Sequence, residues 1–465
     1  MTFLPLAILF LLHVPFVCSS LPSINGTSLS TLDVSDPLSY SNTRSLWDII
    51  WSCAATLFAC TWSAVHPNIP GMDERKFAVY SRRLGIMMMA LIAPELMVTW
   101  ATIQYIAARE TVKDFNDAFG AQLHQTHSTA TLLSEIPTSD RANSPHLSAP
   151  HVTNRAFREW TMTHGFFAWM GGFMLYFNDK PRATLTPNEL QRFVRESSVE
   201  MPIIVEADIE DRSKGDALSK GIVILQLMWF VLQLVARYVQ NLPMTLLELD
   251  TLAVAALTCI AYGFWWKKPK DVGRPHAVYW RTTASPPSKL AYEKAHREFS
   301  EHKSDILSTC IYPWLSLIGG GPFISFRAVH SRRVPSAGGY NHDSLERHII
   351  IILLVGCFSG TVFGGLHCLC WNALFQGHTE QIVWRAASLV IVFVPVSIVL
   401  LSISYDRWLD PVKDPYGITR FCALLLMGAY IVARVTLIVL ILMSFRSLPP
   451  GVYDTVAWTK FIPHL

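Results

Sequence analysis

The stretch 160–177, WTMTHGFFAWMGGFMLYF, is apolar along most of its length and carries one histidine, His164. Whether it crosses a bilayer decides the sidedness of everything that follows it. About 20 apolar residues are needed to span the hydrocarbon layer, so this stretch is short. Seven longer runs read as spans more readily: 45–65, 84–108, 221–240, 244–266, 349–371, 383–404 and 421–444. With 160–177 they predict an all-α fold, a polytopic helical membrane bundle of about eight transmembrane helices.

Loop charge favours the eighth crossing. With the N-terminus outside, the inner loops are 66–83, 178–220, 267–348 and 405–420. The first carries Arg75, Lys76, Arg82 and Arg83, and the second carries Lys180, Arg182, Arg192, Arg195, Arg212, Lys214 and Lys220. The third opens with Lys267, Lys268 and Lys270, and the fourth holds Arg407, Lys413 and Arg420. The short outer loops 241–243 and 372–382 hold no lysine or arginine. Cytoplasmic loops carry this excess of basic residues. Removing 160–177 alone would move the KKPK run at 267–270 outside.

Composition agrees with the membrane class. Of 465 residues, 51% are hydrophobic and 16% charged, against about 25% charged in soluble domains. Fifteen tryptophans and 14 tyrosines suit a chain with rings anchored at the headgroup level. A net charge of +3 is too small for a nucleic-acid partner; the implied partner is the lipid bilayer. The nine cysteines show no metal-finger spacing. Cys53, Cys259, Cys357 and Cys422 lie inside apolar runs and read as small packing residues, whereas Cys368 and Cys370 leave a redox role open.

Residues 2–17, TFLPLAILFLLHVPFV, read as the apolar region of a signal peptide over 1–20, cut near Ser19 or Ser20. The usual basic leader residues are missing, so an uncleaved anchor is the alternative. Asn25-Gly26-Thr27 follows within a short outer segment, 21–44, and is a glycosylation sequon at Asn25. Both features predict an integral membrane protein of the secretory pathway, in the plasma membrane or an endomembrane.

The outer loop 109–159 is rich in Ser, Thr, Pro and Ala and reads as flexible, with His124, His127, His146 and His151 as solvated residues. The inner loop 178–220 contains a capping box, Thr186-Pro187-Asn188-Glu189, with proline at the first helical position. Inner loop 267–348 starts with FWWKKPK, the pattern of a helix end at an anionic leaflet, and continues into a charged surface helix, KLAYEKAHREFSEHKSDIL. Within it, 306–326 is apolar but broken by Pro313, Gly319–Gly321 and Pro322, and reads as interfacial or re-entrant. Residues 445–465 form an outer tail.

Ionisable residues within spans are costly and mark function by default. Glu95, beside Pro94, and Arg434 are the deepest, and Arg434 requires a carboxylate partner, Glu95 or Glu248. Asp48, His164, Arg237, Glu248, Asp250, His367 and Arg385 fall toward the outer ends of their spans. Asp48, Arg237 and Arg385 are close enough to water to snorkel or cap. His164 and His367 adjoin glycines, where close helix approach offers a bonded, packed role. The candidate binding cluster is therefore Glu95, His164, Glu248, Asp250, His367 and Arg434, in the outer half of the bundle. The chain contains no phosphate-binding G-x-x-x-x-G-K-[ST], no H-E-x-x-H and no G-x-S-x-G. No metal is implied, and the sequence leaves the cofactor open.

Several stretches resemble a family of multi-pass membrane proteins of filamentous fungi with no assigned activity. They are SLWDIIWSCAATLFACTWSAVHPNIPG, HGFFAWMGGF, DIEDRSKGDALSKGIVILQLMWF, FWWKKPKDV and GGLHCLCWNALFQGHTEQIVWR. The resemblance covers most of the chain from residue 45 on and carries no catalytic residue across. Three functions stay open. The favoured one is binding or transport of a small solute or ion through the outer-half cluster. The second is a membrane-embedded enzyme for a lipid or terpenoid substrate, using those groups as acids and bases. The third is a receptor or scaffold whose inner loops bind cytosolic proteins.

Overall fold

A computed structural model describes residues 43–134, 159–213, 217–281, 285–287, 290–293, 326–336, 338–340, 342–371, 375, 377–408 and 418–456. The signal peptide, Asn25, His146, His151, most of the charged run from Lys289, the segment 306–325 and the tail beyond 456 lie outside the described residues.

Helix α1 (Leu46–Ala64) begins with a capping box: Asp48 N donates to Ser45 Oγ, and Ser45 N donates back to the Asp48 carboxylate at 2.7 Å. The run 84–108 is not one helix. It is divided between α2 (Lys76–Ile92) and α3 (Pro94–Ser134). Pro94 lacks an N–H and crowds the residue before it. Ala93 accordingly leaves the helical region (φ −143°, ψ 69°), and the axis bends by 115°. α3 then continues for 41 residues, about 60 Å at 1.5 Å per residue. The first part of the expected flexible loop, 109–134, is therefore helix.

The stretch 160–177 departs furthest from expectation. It forms an eight-residue helix, α4 (Met162–Trp169), then a turn at Gly171 (φ 94°) and a strand, β1 (Phe173–Phe177). Asn178 and Asp179, at φ 49° and 59°, link β1 to antiparallel β2 (Lys180–Thr184); positive φ at both residues is the tight hairpin geometry. β3 (His276–Tyr279) pairs parallel to β1, giving the order β2-β1-β3. The fold is thus mostly helical, not all-α. The stretch is apolar because it fills a core of its own: Phe167, Phe173 and Leu175 pack with Phe115 of α3, Trp160, Leu190 and Phe193. Trp160 stacks on Phe115 with centroids 3.8 Å apart. α5 (Pro187–Arg195), started by the Thr186–Glu189 capping box, and α6 (Glu206–Arg212) complete this unit.

Among the described residues, five helices are long and apolar enough to cross a membrane: α7 (Ala217–Val239), α8 (Leu246–Phe264), α11 (Ile349–Cys368), α12 (His378–Trp408) and α13 (Ile418–Ser444). Two short helices precede α11, namely α9 (Phe326–His330) and α10 (His342–Arg347). α8 is central, with over half its residues buried, and packs against α1, α3 and α11. α7 and α13 expose apolar faces, including Met228, Val235, Leu424 and Val432, as helices in contact with lipid do. Gly356, Gly360 and Gly364 place a small-residue stripe along α11. A Cβ at Gly364 would lie 2.7 Å from Val392 Cγ2, and one at Gly360 2.7 Å from Pro395 Cγ. Small residues let α11 and α12 approach closely.

Candidate functional site

Polar groups gather at three levels of the bundle. The first is the end where α1 and α8 begin. Thr245 and Glu248 form the capping box of α8, with Thr245 N donating to Glu248 Oε2 at 2.8 Å. The same carboxylate accepts both terminal nitrogens of Arg44, at 2.5 and 3.2 Å. Arg44 Nε also reaches Val452 O at 2.8 Å. Arg237 on α7 donates to Asp454 O, Pro243 O and Val452 O. These contacts bind the residues before α1, the α7–α8 turn and the segment after α13 into one knot.

Asp250 and His367 meet at the same end. His367 is fully buried, with Nε2 3.2 Å from Asp250 Oδ1 and Nδ1 2.8 Å from Phe363 O. Trp384 Nε1 donates to His367 O, holding α12 against α11. Asp48 serves as the α1 cap, and Arg385 donates to Trp371 O at 2.9 Å.

The second level is the break between α2 and α3. The break at Ala93 leaves Ile92 O without its helical donor, because Leu96 N donates to Ala93 O instead, at 3.1 Å. Arg434 of α13 fills that place: Nε donates at 3.1 Å and Nη2 also reaches Ile92 O. The guanidinium lies 3.8 Å from the ring centroid of Phe363, a cation–π contact. Glu95 is buried, and its Oε1 accepts the Tyr430 hydroxyl at 2.9 Å. Its Oε2 is buried with no partner among the described residues. Arg434 therefore binds a backbone carbonyl, where the sequence reading paired it with a carboxylate. Glu95 stands one turn away with half its acceptor capacity unused.

The third level is the opposite end, around Lys268. Its Nζ donates to His66 O at 2.7 Å, Gln104 Oε1 at 2.9 Å and Asn68 Oδ1 at 3.2 Å. The rings of Trp100 and Trp265 lie 5.4 and 5.1 Å from it. Both amides are fixed by other bonds: Gln104 and Asn68 nitrogens donate to Gly338 O, and Trp265 Nε1 donates to Gln104 Oε1. Three oriented oxygens match the three donors of an ammonium. Burial nonetheless pulls Lys268 down to about 7 from 10.5, because the charged form loses hydration. Nearby, Arg83 makes a bidentate pair with Asp271 at 2.9 Å and lies over Trp62. Burial raises the Glu74 carboxyl, but Arg82 and Arg333 outweigh it and hold it below the usual range.

His164 belongs to the α+β unit and not to any bundle cluster. Its Nδ1 accepts Thr161 N at 3.1 Å as part of the α4 capping box, and its Nε2 lies 3.0 Å from Ile204 O. Of the six candidate residues, the structure brings together Glu248, Asp250 and His367 at one end. It sets Glu95 and Arg434 at the helix break and separates His164 from both groups. Sequence reasoning missed Arg44, Tyr430, Gln104 and the burial of Lys268. Among the described residues no three His, Cys, Asp or Glu side chains converge as a metal site would.

No curated protein and no solved structure matches the chain. The model of a family of unknown function, DUF8562, matches residues 10–285, more than half of the sequence. The chain belongs to that family of unknown function.

Proposed function

We propose that this chain is an integral membrane bundle that crosses the bilayer six times and binds a small solute or ion for transport at the α2–α3 break. The five apolar helices, with the 19-residue α1, which is not among those five, taken as a further span, give the six crossings. α2 and α3 form a re-entrant pair that enters from the basic side and returns to it. The 115° bend supports this path. So does the contact of Glu110, well down α3, with Arg347 and His348 at the start of α11.

This topology accounts for the loop charges as well as the eight-span reading does. Two crossings, 84–108 and 160–177, drop out together, so the parity of every later helix is unchanged. The KKPK run stays inside. Residues 109–159 move from the outer to the inner side, where their Arg109, Lys113, Arg141, Arg155 and Arg158 accord with the basic-inside bias.

Glu95 carries the transport reading. An acceptor oxygen left unpartnered inside a bundle costs roughly 1–3 kcal/mol, and more when charged. Interrupted helices that expose backbone at mid-membrane are the recurring architecture of solute and ion sites. The polar knot at the α1–α8 end supports a closed outer side, since its carboxylates are already bonded to Arg44 and His367. The test uses vesicles carrying the wild-type chain or Glu95→Gln, incubated with a polar metabolite extract of the source cells. Mass spectrometry of the vesicle contents is expected to find a solute taken up by wild type and not by the variant. Identical contents contradict the reading.

A further inference from the structure

Resting on the placement of the site at the α2–α3 break, we propose that Glu95 is a proton-loading group. It takes a proton from water onto the unpartnered Oε2 and later returns it, with Arg434 as the fixed counter-charge. The step is a bare transfer: the carboxylate and hydronium become carboxylic acid and water, and no bond other than O–H forms or breaks.

The surroundings select a proton over a larger cation. A metal ion needs several oxygen ligands around it. The backbone oxygen freed by the break, Ile92 O, is already taken by Arg434. The Glu95 carbonyl accepts the Thr99 hydroxyl at 2.9 Å. The guanidinium of Arg434 adds a positive charge that repels a second cation. A proton needs no ligand shell.

Among the described residues, Tyr430 is the one titratable group hydrogen-bonded to the Glu95 carboxylate. α13 supplies Tyr430, which donates to Oε1, and Arg434, which makes no ion pair with Glu95 among the described residues. α11 supplies the Phe363 ring under Arg434. Of its titratable residues, His367 is committed to Asp250 and Phe363 O, and Cys357 and Cys368 are half-buried free thiols. α2 contributes the Ile92 carbonyl. With Glu95 ionised the site is neutral, and with Glu95 protonated it carries the single charge of Arg434. Proton loading therefore changes the net charge at the point where α2, α3 and α13 are joined.

Infrared difference spectroscopy of the full chain in lipid, stepped across pH, tests this. Wild type is expected to show a carboxylic-acid carbonyl band that gives way to carboxylate bands as pH rises. Glu95→Gln is expected to lose both changes, and Tyr430→Phe to shift the carbonyl band by removing its hydrogen bond. Identical difference spectra in wild type and folded Glu95→Gln overturn the proposal. Should Glu95→Gln fail to fold, a spectrum unmoved by Tyr430→Phe overturns it instead. A titrating band without vesicle uptake upholds proton loading and removes the transport reading. Uptake that depends on Glu95 without a titrating band does the reverse.

Discussion

Arg44 and Glu248, 204 residues apart in sequence, form a two-point ion pair that also anchors the segment after α13 through Val452 O. The carboxylate caps α8 with its second oxygen. Sequence reasoning placed Glu248 in a binding cluster. Its bonds give it a structural task at least as demanding. Glu248→Gln keeps the shape and loses the charge, leaving Arg44 partly buried and uncompensated. A loss on the order of 2–3 kcal/mol is expected, measured as a lower melting temperature and lower folded yield in detergent. Unchanged melting would return Glu248 to the list of groups free to bind a ligand.

Gly364 and Gly365 are neighbours with opposite expected tolerance. A Cβ at 364 would stand 2.7 Å from Val392 Cγ2 and 2.9 Å from Val392 N, whereas one at 365 meets nothing within 4 Å. Gly364→Ala is expected to destabilise the α11–α12 hairpin by about 1–3 kcal/mol. Gly365→Ala is expected to be neutral or slightly stabilising, through helix propensity. Thermal unfolding of the two variants side by side checks the pair.

Lys268 makes stability depend on pH. Burial lowers it to about 7 from 10.5. Between these values the unfolded chain holds a proton that the folded chain has released, so stability rises with pH through that window. The bound is about 1.4 kcal/mol per pH unit, reduced by the three oxygens and two indole rings that favour the ammonium. Lys268→Met removes this dependence and leaves the oxygens of His66, Asn68 and Gln104 short of a donor. Melting curves at pH 7 and 9.5 are expected to show wild type gaining on Lys268→Met as pH rises. A constant gap would mean that the cage holds the amine charged throughout.

His164 is expected to matter for folding of the α+β unit and not for uptake. His164→Ala removes the Thr161 capping bonds and leaves Ile204 O without its ring partner. A loss of about 1–2 kcal/mol is expected. Vesicle uptake scaled to folded protein should stay at the wild-type level. A selective loss of uptake would place His164 in the functional site.

The long helices were legible in the sequence because an unbroken apolar run of about 20 residues matches the thickness of a bilayer. α11, α12 and α13 fall close to their expected bounds. The stretch 160–177 misled because apolarity reports burial and not the solvent that is replaced. Phe167, Phe173 and Leu175 are buried against Phe115 and Phe193, which a hydropathy window cannot distinguish from lipid. The paired glycines Gly171-Gly172 were a local sign of a turn. Pro94 was legible as a helix breaker, but the size of the bend, 115°, was not. Lys268 stands between the exposed Lys267 and the likewise buried Lys270, and nothing local marks it as the one enclosed by a cage. Its cage comes from Asn68, Trp100 and Gln104, more than 160 residues earlier.

The sidedness of Lys113 separates six crossings from eight. Lys113 is exposed on α3. A single cysteine at this position, with accessible native cysteines replaced, is treated with a membrane-impermeant thiol reagent. Tyr279→Cys on the α+β unit and Arg446→Cys after α13 serve as inner and outer references. The re-entrant topology requires Lys113→Cys to react only after permeabilisation, together with Tyr279→Cys. Reaction in intact cells, together with Arg446→Cys, would contradict it and restore a crossing between 84 and 108.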